Sequence, residues 1–300
     1  MKPLLAAHGL TKIFRSPSAE QSAEPTTGPL AGPPAGPLDR PSDWPATGPS
    51  AEQPAGLPAG QPACLEVALE VHAGEVLGLV GESGSGKSTL LNLLCGAVKA
   101  DAGQSLYRDA LGLEVDLQNV EEVDRRRLMR SELGFVRQNP RDGLNMNVSA
   151  GANVAERLLA GGERRYDRAR AAAAAWLERV EIPVRRLDDS PETYSGGMLQ
   201  RLQIAKNLVA GPRLVFLDEP TGGLDVSVQA RLLDLLRNLV AGLRLAVVLT
   251  THDLAVARLL SHRILVMKGG RTVESGLTDQ VLDDPQAPYT QLLTSSTLSL

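Results

Sequence analysis

Apolar residues recur along this chain in two periods. Residues 4–14 read as a strand and its exit, and 65–71, Leu-Glu-Val-Ala-Leu-Glu-Val, alternate strictly between apolar and polar. A period of two is the mark of a strand with one buried face. Short apolar runs at 75–80, 133–138, 214–217 and 246–250 have the length of strands buried on both faces. Helical patterns lie between them: one opens at 89–94, others cover 148–180, 199–208 and 226–241. Within the second of these, 168–180 carries Ala171 to Ala175 followed by Trp176 and Leu177, a strongly helix-forming composition. Strands alternating with helices predict an α/β fold, a largely parallel sheet covered on both faces. The helical block 139–195 reads as a subdomain inserted into that sheet, and 100–120 gives only weak strand and turn signals.

Composition interrupts this pattern once. Residues 16–62 are dominated by Pro, Gly, Ala and Ser, with Gly-Pro at 28–29, 32–33, 36–37 and 48–49. Such a segment lacks the apolar side chains that would offset its ordering entropy. It is expected to be a disordered or polyproline-like insertion. Because it falls between two strand patterns, it reads as a long hairpin loop and not as a linker between domains.

Charge and cysteine usage narrow the function classes. The 300 residues carry a net charge of −4, so no global basic field recruits nucleic acid. The cluster Arg125-Arg126-Arg127 with Arg130 is expected to be a solvated helix face. No run approaches the roughly 18 apolar residues of a membrane span, and the apolar stretch at the N-terminus is too short for a signal peptide. Cys64 and Cys95 form no metal-like cluster and suggest a reducing, cytoplasmic setting.

The chemistry begins at Gly81-Glu82-Ser83-Gly84-Ser85-Gly86-Lys87-Ser88, followed by Thr89. The stretch fits a phosphate-binding loop, and it stands where such a loop must stand, after a buried strand and before a helix. Glycines let backbone N–H groups turn toward phosphate oxygens, and the helix N-terminus adds positive potential. Lys87 would reach the β- and γ-phosphates of a nucleoside triphosphate, and the Ser88 hydroxyl would ligate Mg²⁺. Asp218 and Glu219 end the apolar run 214–217. Carboxylates are costly inside a core, so both belong at the strand's edge. There Asp218 would hold Mg²⁺, and Glu219 would polarise an attacking water as general base. Ser195-Gly196-Gly197, at a helix start, is a second arrangement able to bind phosphate. His252 follows a strand and could donate to a γ-phosphate, whereas His8, His72 and His262 read as structural.

In this order, with Gln138 between the first and second motifs and Leu224-Asp225 after the acids, the set resembles the ATP-binding cassette (ABC) ATPases. The resemblance covers nearly the whole chain outside the insertion. It implies a P-loop NTPase fold: a RecA-like core sheet, an N-terminal antiparallel β subdomain and the inserted α-helical subdomain, together spanning 1–270, with 271–300 as a C-terminal extension. It implies ATP with Mg²⁺, and Ser88, Gln138 and Asp218 near the metal. Glu219 and His252 would be catalytic, and Ser195-Gly196-Gly197 would be the signature motif. Gly223-Leu224-Asp225 would lie at a dimer interface, and Phe14 would stack on adenine. It further implies a head-to-tail homodimer, each ATP lying between the phosphate loop of one subunit and the signature of the other. Two positions depart from the family's pattern: Tyr194 stands where Leu is common, and Met198 where Gln is common.

A narrower resemblance lies in 137–144, 148–158, 176–183, 218–234 and 276–293. These stretches are similar to the cassette ATPases that accompany phosphonate carbon–phosphorus lyase systems, the K-subunit group. That group implies a soluble lyase core with its J subunit as partner, and a second cassette ATPase, the L subunit, able to join. The segment after Gln138 carries most of this, since Pro-Tyr-Thr-Gln-Leu-Leu at 288–293 is shared with ATPases of peptide and nickel importers. A competing expectation is therefore an importer's ATPase subunit on a membrane permease. A non-catalytic nucleotide-binding regulator is opposed by Glu219 and His252.

Overall fold

A computed structural model describes residues 2–14 and 61–297. The chain divides into two compact units, Met1–Lys12 with Pro62–Leu300, and Ile13–Gln61. The proposed Pro/Gly-rich insertion lies almost wholly outside the described residues.

The strands are β1 (Leu5–Phe14), β2 (Gln61–Val71), β3 (Val76–Val80), β4 (Ala102–Arg108), β5 (Glu114–Asp116), β6 (Leu133–Val136), β7 (Leu214–Asp218), β8 (Ala246–Thr251), β9 (Arg263–Lys268) and β10 (Arg271–Leu277). The helices are α1 (Lys87–Leu94), α2 (Glu122–Ser131), α3 (Ala150–Ala160), α4 (Tyr166–Arg179), α5 (Gly196–Leu208), α6 (Val226–Leu243), α7 (Leu254–Leu260), α8 (Thr278–Asp283) and α9 (Pro288–Thr297). One sheet has the order β2-β1-β4-β5, the other β10-β9-β3-β8-β7-β6. In the six-stranded sheet β6, β7, β8, β3 and β9 run parallel, and β10 returns antiparallel on β9.

Alternation across the parallel strands separates two cores. Val215 and Leu217 of β7, with Val247 and Leu249 of β8, face a cluster built on Val154, Trp176, Leu202 and Leu236. Their neighbours Leu214, Phe216, Ala246 and Val248 face a second cluster, in which Leu5, Leu10 and Val67 of the small sheet pack with Leu90 to Leu94 around α1. Strands buried on both faces need continuous apolar sequence, which is why β3 and β8 read as unbroken runs. The carboxyl ends of β3, β7 and β8 lead into 81–88, Glu219 and His252, the edge where open α/β sheets bind ligands. No helix among the described residues is long and apolar enough to cross a membrane.

Several boundaries move. The helical stretch 148–180 is two helices, because Gly161 and Gly162, the latter at φ +109°, end α3 before α4 begins. β2 starts at Gln61, ahead of the expected end of the insertion at 62. Part of what anchors this segment is backbone: Leu65 N donates to Gly270 O at 2.8 Å, a contact invisible to composition. The break placed at 270 falls inside a hairpin, since Arg271 pairs with Lys268 and β10 belongs to the main sheet.

Candidate active site

The phosphate loop is shaped by its glycines and tied by its lysine. Gly84 and Gly86 adopt φ of +81° and +104°, which L side chains rarely tolerate. Lys87 is buried, and its Nζ donates to Gly81 O at 2.7 Å and Glu82 O at 2.8 Å. Burial holds the Lys87 ammonium below its ordinary pKa, opposed by the charges of Glu219, Asp218 and Glu82. Glu82, Ser83, Gly84 and Ser88 are exposed, Ser85 is buried, and Gly86 and Thr89 are half-buried.

Asp218 faces the loop. Ser88 Oγ donates to Asp218 Oδ1 at 2.8 Å, and Thr250 Oγ1 donates to the same oxygen at 2.6 Å. Two hydroxyls and a carboxylate form a hard-oxygen donor set of the kind Mg²⁺ takes. Among the described residues no three His, Cys, Asp or Glu side chains are grouped to hold a metal. A metal here would therefore draw further ligands from phosphate and water, the usual manner of Mg²⁺ in nucleotide sites.

Glu219 is the meeting point. Its Oε2 accepts from Gln138 Nε2 at 3.1 Å, and its Oε1 lies 3.3 Å from His252 Nδ1, with the Glu219 side chain 15% exposed. The backbone at Glu219 sits at φ +40°, a conformation that costs a non-glycine residue on the order of 1–3 kcal/mol and persists only where surroundings enforce it. The enforcing group is buried Thr250: Glu219 N donates to its carbonyl at 3.1 Å and its Oγ1 at 3.0 Å. One threonine thus orients both acids. The sequence carries it only as a polar residue ending a buried strand.

Ser195, Gly196 and Gly197 start α5. Ser195 caps the helix, accepting from Met198 N at 3.4 Å, and its side chain is exposed. A Cβ on Gly197 would lie 2.5 Å from Val228 Cγ1, so this glycine lets α5 approach α6 closely. The two departures from the signature pattern meet one arginine. Tyr194 Oη donates to Arg186 O at 2.7 Å, the Arg186 guanidinium stands 4.5 Å over the Tyr194 ring, and Arg186 Nη1 reaches Met198 Sδ at 3.5 Å. Asp225 is exposed and precedes α6. Phe14 ends β1 with half its surface exposed, in the second compact unit.

A contact absent from the sequence reading comes from the tail. Glu82 N, in the phosphate loop, donates to Tyr289 Oη at 3.3 Å. Tyr289 is buried with Val80, Leu254 and Ile264, under Lys268, whose Nζ stands 4.5 Å over the ring.

Comparison with known proteins fits this geometry. The family model described as "ABC transporter" matches residues 64–222, the stretch from β2 to just past the two acids at the end of β7. The chain belongs to the ABC transporter family. As a family member it binds and hydrolyses ATP. The putative phosphonates utilization ATP-binding protein PhnK of Escherichia coli is 61% identical over 231 residues, covering 77% of this chain and 90% of that protein. A putative peptide import ATP-binding protein of Brucella melitensis is 40% identical over 235 residues, covering 75% of this chain and 69% of that protein. Among solved structures, the dimeric ATP-binding cassette MJ0796 in a post-hydrolysis state with ADP and Pi superposes with a TM-score of 0.70. It is 24% identical and covers 91% of this chain and 98% of that one, a likeness of fold. The α/β architecture with its small antiparallel sheet is thus that of an ABC cassette.

Tyr289 has a measurable consequence for this cassette. Tyr289→Phe removes one neutral hydrogen bond to the loop and is expected to weaken ATP binding by about 0.5–1.5 kcal/mol, a few-fold in affinity. Nucleotide titration checks this, and an unchanged affinity would detach the tail from the loop.

Proposed function

We propose that this cassette uses ATP to drive conformational change in a carbon–phosphorus lyase complex during alkylphosphonate breakdown. The observation that carries the reading is the 61% identity across 90% of a phosphonates utilization protein, against 40% for a peptide importer's ATPase. In this reading the partner is a soluble lyase core with its J subunit, the L subunit ATPase can join, and the setting is cytoplasmic. The 139–195 segment, a separate helical subdomain in this reading, would face that partner.

The working unit is a head-to-tail homodimer. The loop Gly81 to Ser88, with Thr89, cradles the phosphates of ATP. Ser195, Gly196 and Gly197 of a second copy close over the γ-phosphate, and Asp225 lies along the interface. Phe14 supports adenine. Ser88, Asp218 and Gln138 would hold Mg²⁺, which when bound neutralises charge on the β- and γ-phosphates. Glu219 accepts a proton from the water that attacks the γ-phosphorus in line. His252 and Gln138 keep the Glu219 carboxylate aimed, and His252 donates toward the γ-phosphate. Thr250 fixes the Asp218 carboxylate and the Glu219 main chain, so each acid keeps its own place at the strand end. Closing and opening of the dimer is the mechanical output.

Affinity purification of the full chain from cells grown on an alkylphosphonate tests the partner. Lyase core subunits are expected to co-purify. Recovery of membrane permeases without them would replace this reading with the importer.

A further inference from the structure

β6 is the last strand of its sheet, and among the described residues no strand covers its outer edge. A strand edge packed under helices must still satisfy its N–H and C=O groups. Side chains do this. Arg157 of α3 donates Nη2 to Leu133 O. Asn207 Oδ1 accepts from Phe135 N at 3.0 Å and from Arg157 Nη1 at 2.8 Å. Gln203 accepts from Arg137 N through Oε1 and donates Nε2 to Arg137 O at 3.3 Å. Gln200 Nε2 reaches the same oxygen at 3.4 Å. Gln203 and Asn207 are 0% and 5% exposed and stand one turn apart on α5, so one face of a helix serves as a surrogate strand.

The last residue held in this way is Arg137, whose neighbour is Gln138. Gln138 then reaches Glu219. The turn that follows folds over the clamp: a Cβ on Gly143 would lie 2.7 Å from Gln203 Cδ. Buried amide groups are costly unless paired, and Gln203 pairs both ends of its amide with the main chain of one residue, gripping the peptides on either side of Arg137.

We propose that Gln203 is a positioning residue for Gln138: by gripping the N–H and C=O of Arg137 it fixes where the Gln138 amide meets Glu219. The helix bearing this grip is the one that opens with Ser195. A single rigid element therefore sets Gln138 in its own subunit and presents the signature to the other. The inference rests on the roles proposed above for Gln138 and Glu219.

The test is a double-mutant cycle in the full chain, with ATP hydrolysis measured for Gln138→Ala, Gln203→Met and the pair. Methionine keeps the length of glutamine and loses both hydrogen bonds. Gln203→Met is expected to lower kcat about tenfold with KM for ATP within about twofold. The double variant is expected to be no slower than Gln138→Ala alone, because the two act as a unit. If Gln203→Met does not fold, Gln203→Asn, one methylene too short to reach Arg137, takes its place in the cycle. A lowered Tm with unchanged kcat, or losses that multiply in the double variant, would make the clamp merely structural and overturn the proposal. Normal turnover by Gln138→Ala would instead remove Gln138 from the mechanism, a result legible before any Gln203 variant is examined.

Discussion

Glu219→Gln should lower ATP turnover at least about a hundredfold, the usual contribution of a positioned general base, while leaving ATP bound. The geometry explains why this variant is clean. A glutamine amide is the same size as the carboxylate, its oxygen can still accept from Gln138 Nε2, and its nitrogen can donate to His252 Nδ1. The constellation survives and only the basicity is lost. The strained backbone at φ +40° is unaffected, because it is imposed through the main-chain N–H by Thr250. With hydrolysis blocked, ATP is expected to hold two chains together, so size-exclusion chromatography should show an ATP-dependent dimer. Wild-type turnover by this variant would remove Glu219 from its proposed role.

The second large effect is expected at Gly86→Ala. Gly86 sits at φ +104°, and an added Cβ would come 2.0 Å from Ala63 O and 3.4 Å from Gly270 Cα. Neither neighbour is a flexible side chain. The left-handed backbone alone costs an alanine roughly 1–2 kcal/mol, and the steric conflict adds displacement of the β2 backbone from the loop. We expect loss of measurable ATP binding by nucleotide titration together with a Tm several degrees lower, since about 1 kcal/mol moves a domain of this size by about 2–4 °C. Retained nucleotide affinity would mean that the loop can separate from β2 without consequence.

The sequence made legible whatever depends on periodicity and local spacing. Runs of four to six apolar residues marked β3, β7 and β8 because those strands are buried on both faces, and the glycines of 81–88 mark a loop whose conformation is local. Thr250, Tyr289 and Arg186 were not legible in the same way. Thr250 and Tyr289 act through partners distant in sequence, Asp218 and Glu82, and Arg186 meets Tyr194 and Met198 only because the turn between them folds back. No spacing rule encodes such a meeting. The hairpin of β9 and β10 had a usable signal, an apolar run followed by Gly269-Gly270, both at positive φ. A break at 270 divides it, leaving β10 in the extension, because no nucleotide motif lies beyond His252 to mark the second strand. Gln203 and Asn207 gave the opposite kind of signal: polar residues on an otherwise apolar helix face, which take meaning only once the bare strand edge beside them is known.

The placement of Tyr289 bears on how genes of this kind are judged intact. A premature stop codon just after Gly270 would preserve the phosphate loop, the signature, both acids and the histidine in the reading frame. Its product would lack the last strand of the main sheet and the hydroxyl that meets Glu82 N. Such an allele would pass for functional on its motifs and behave as a hypomorph.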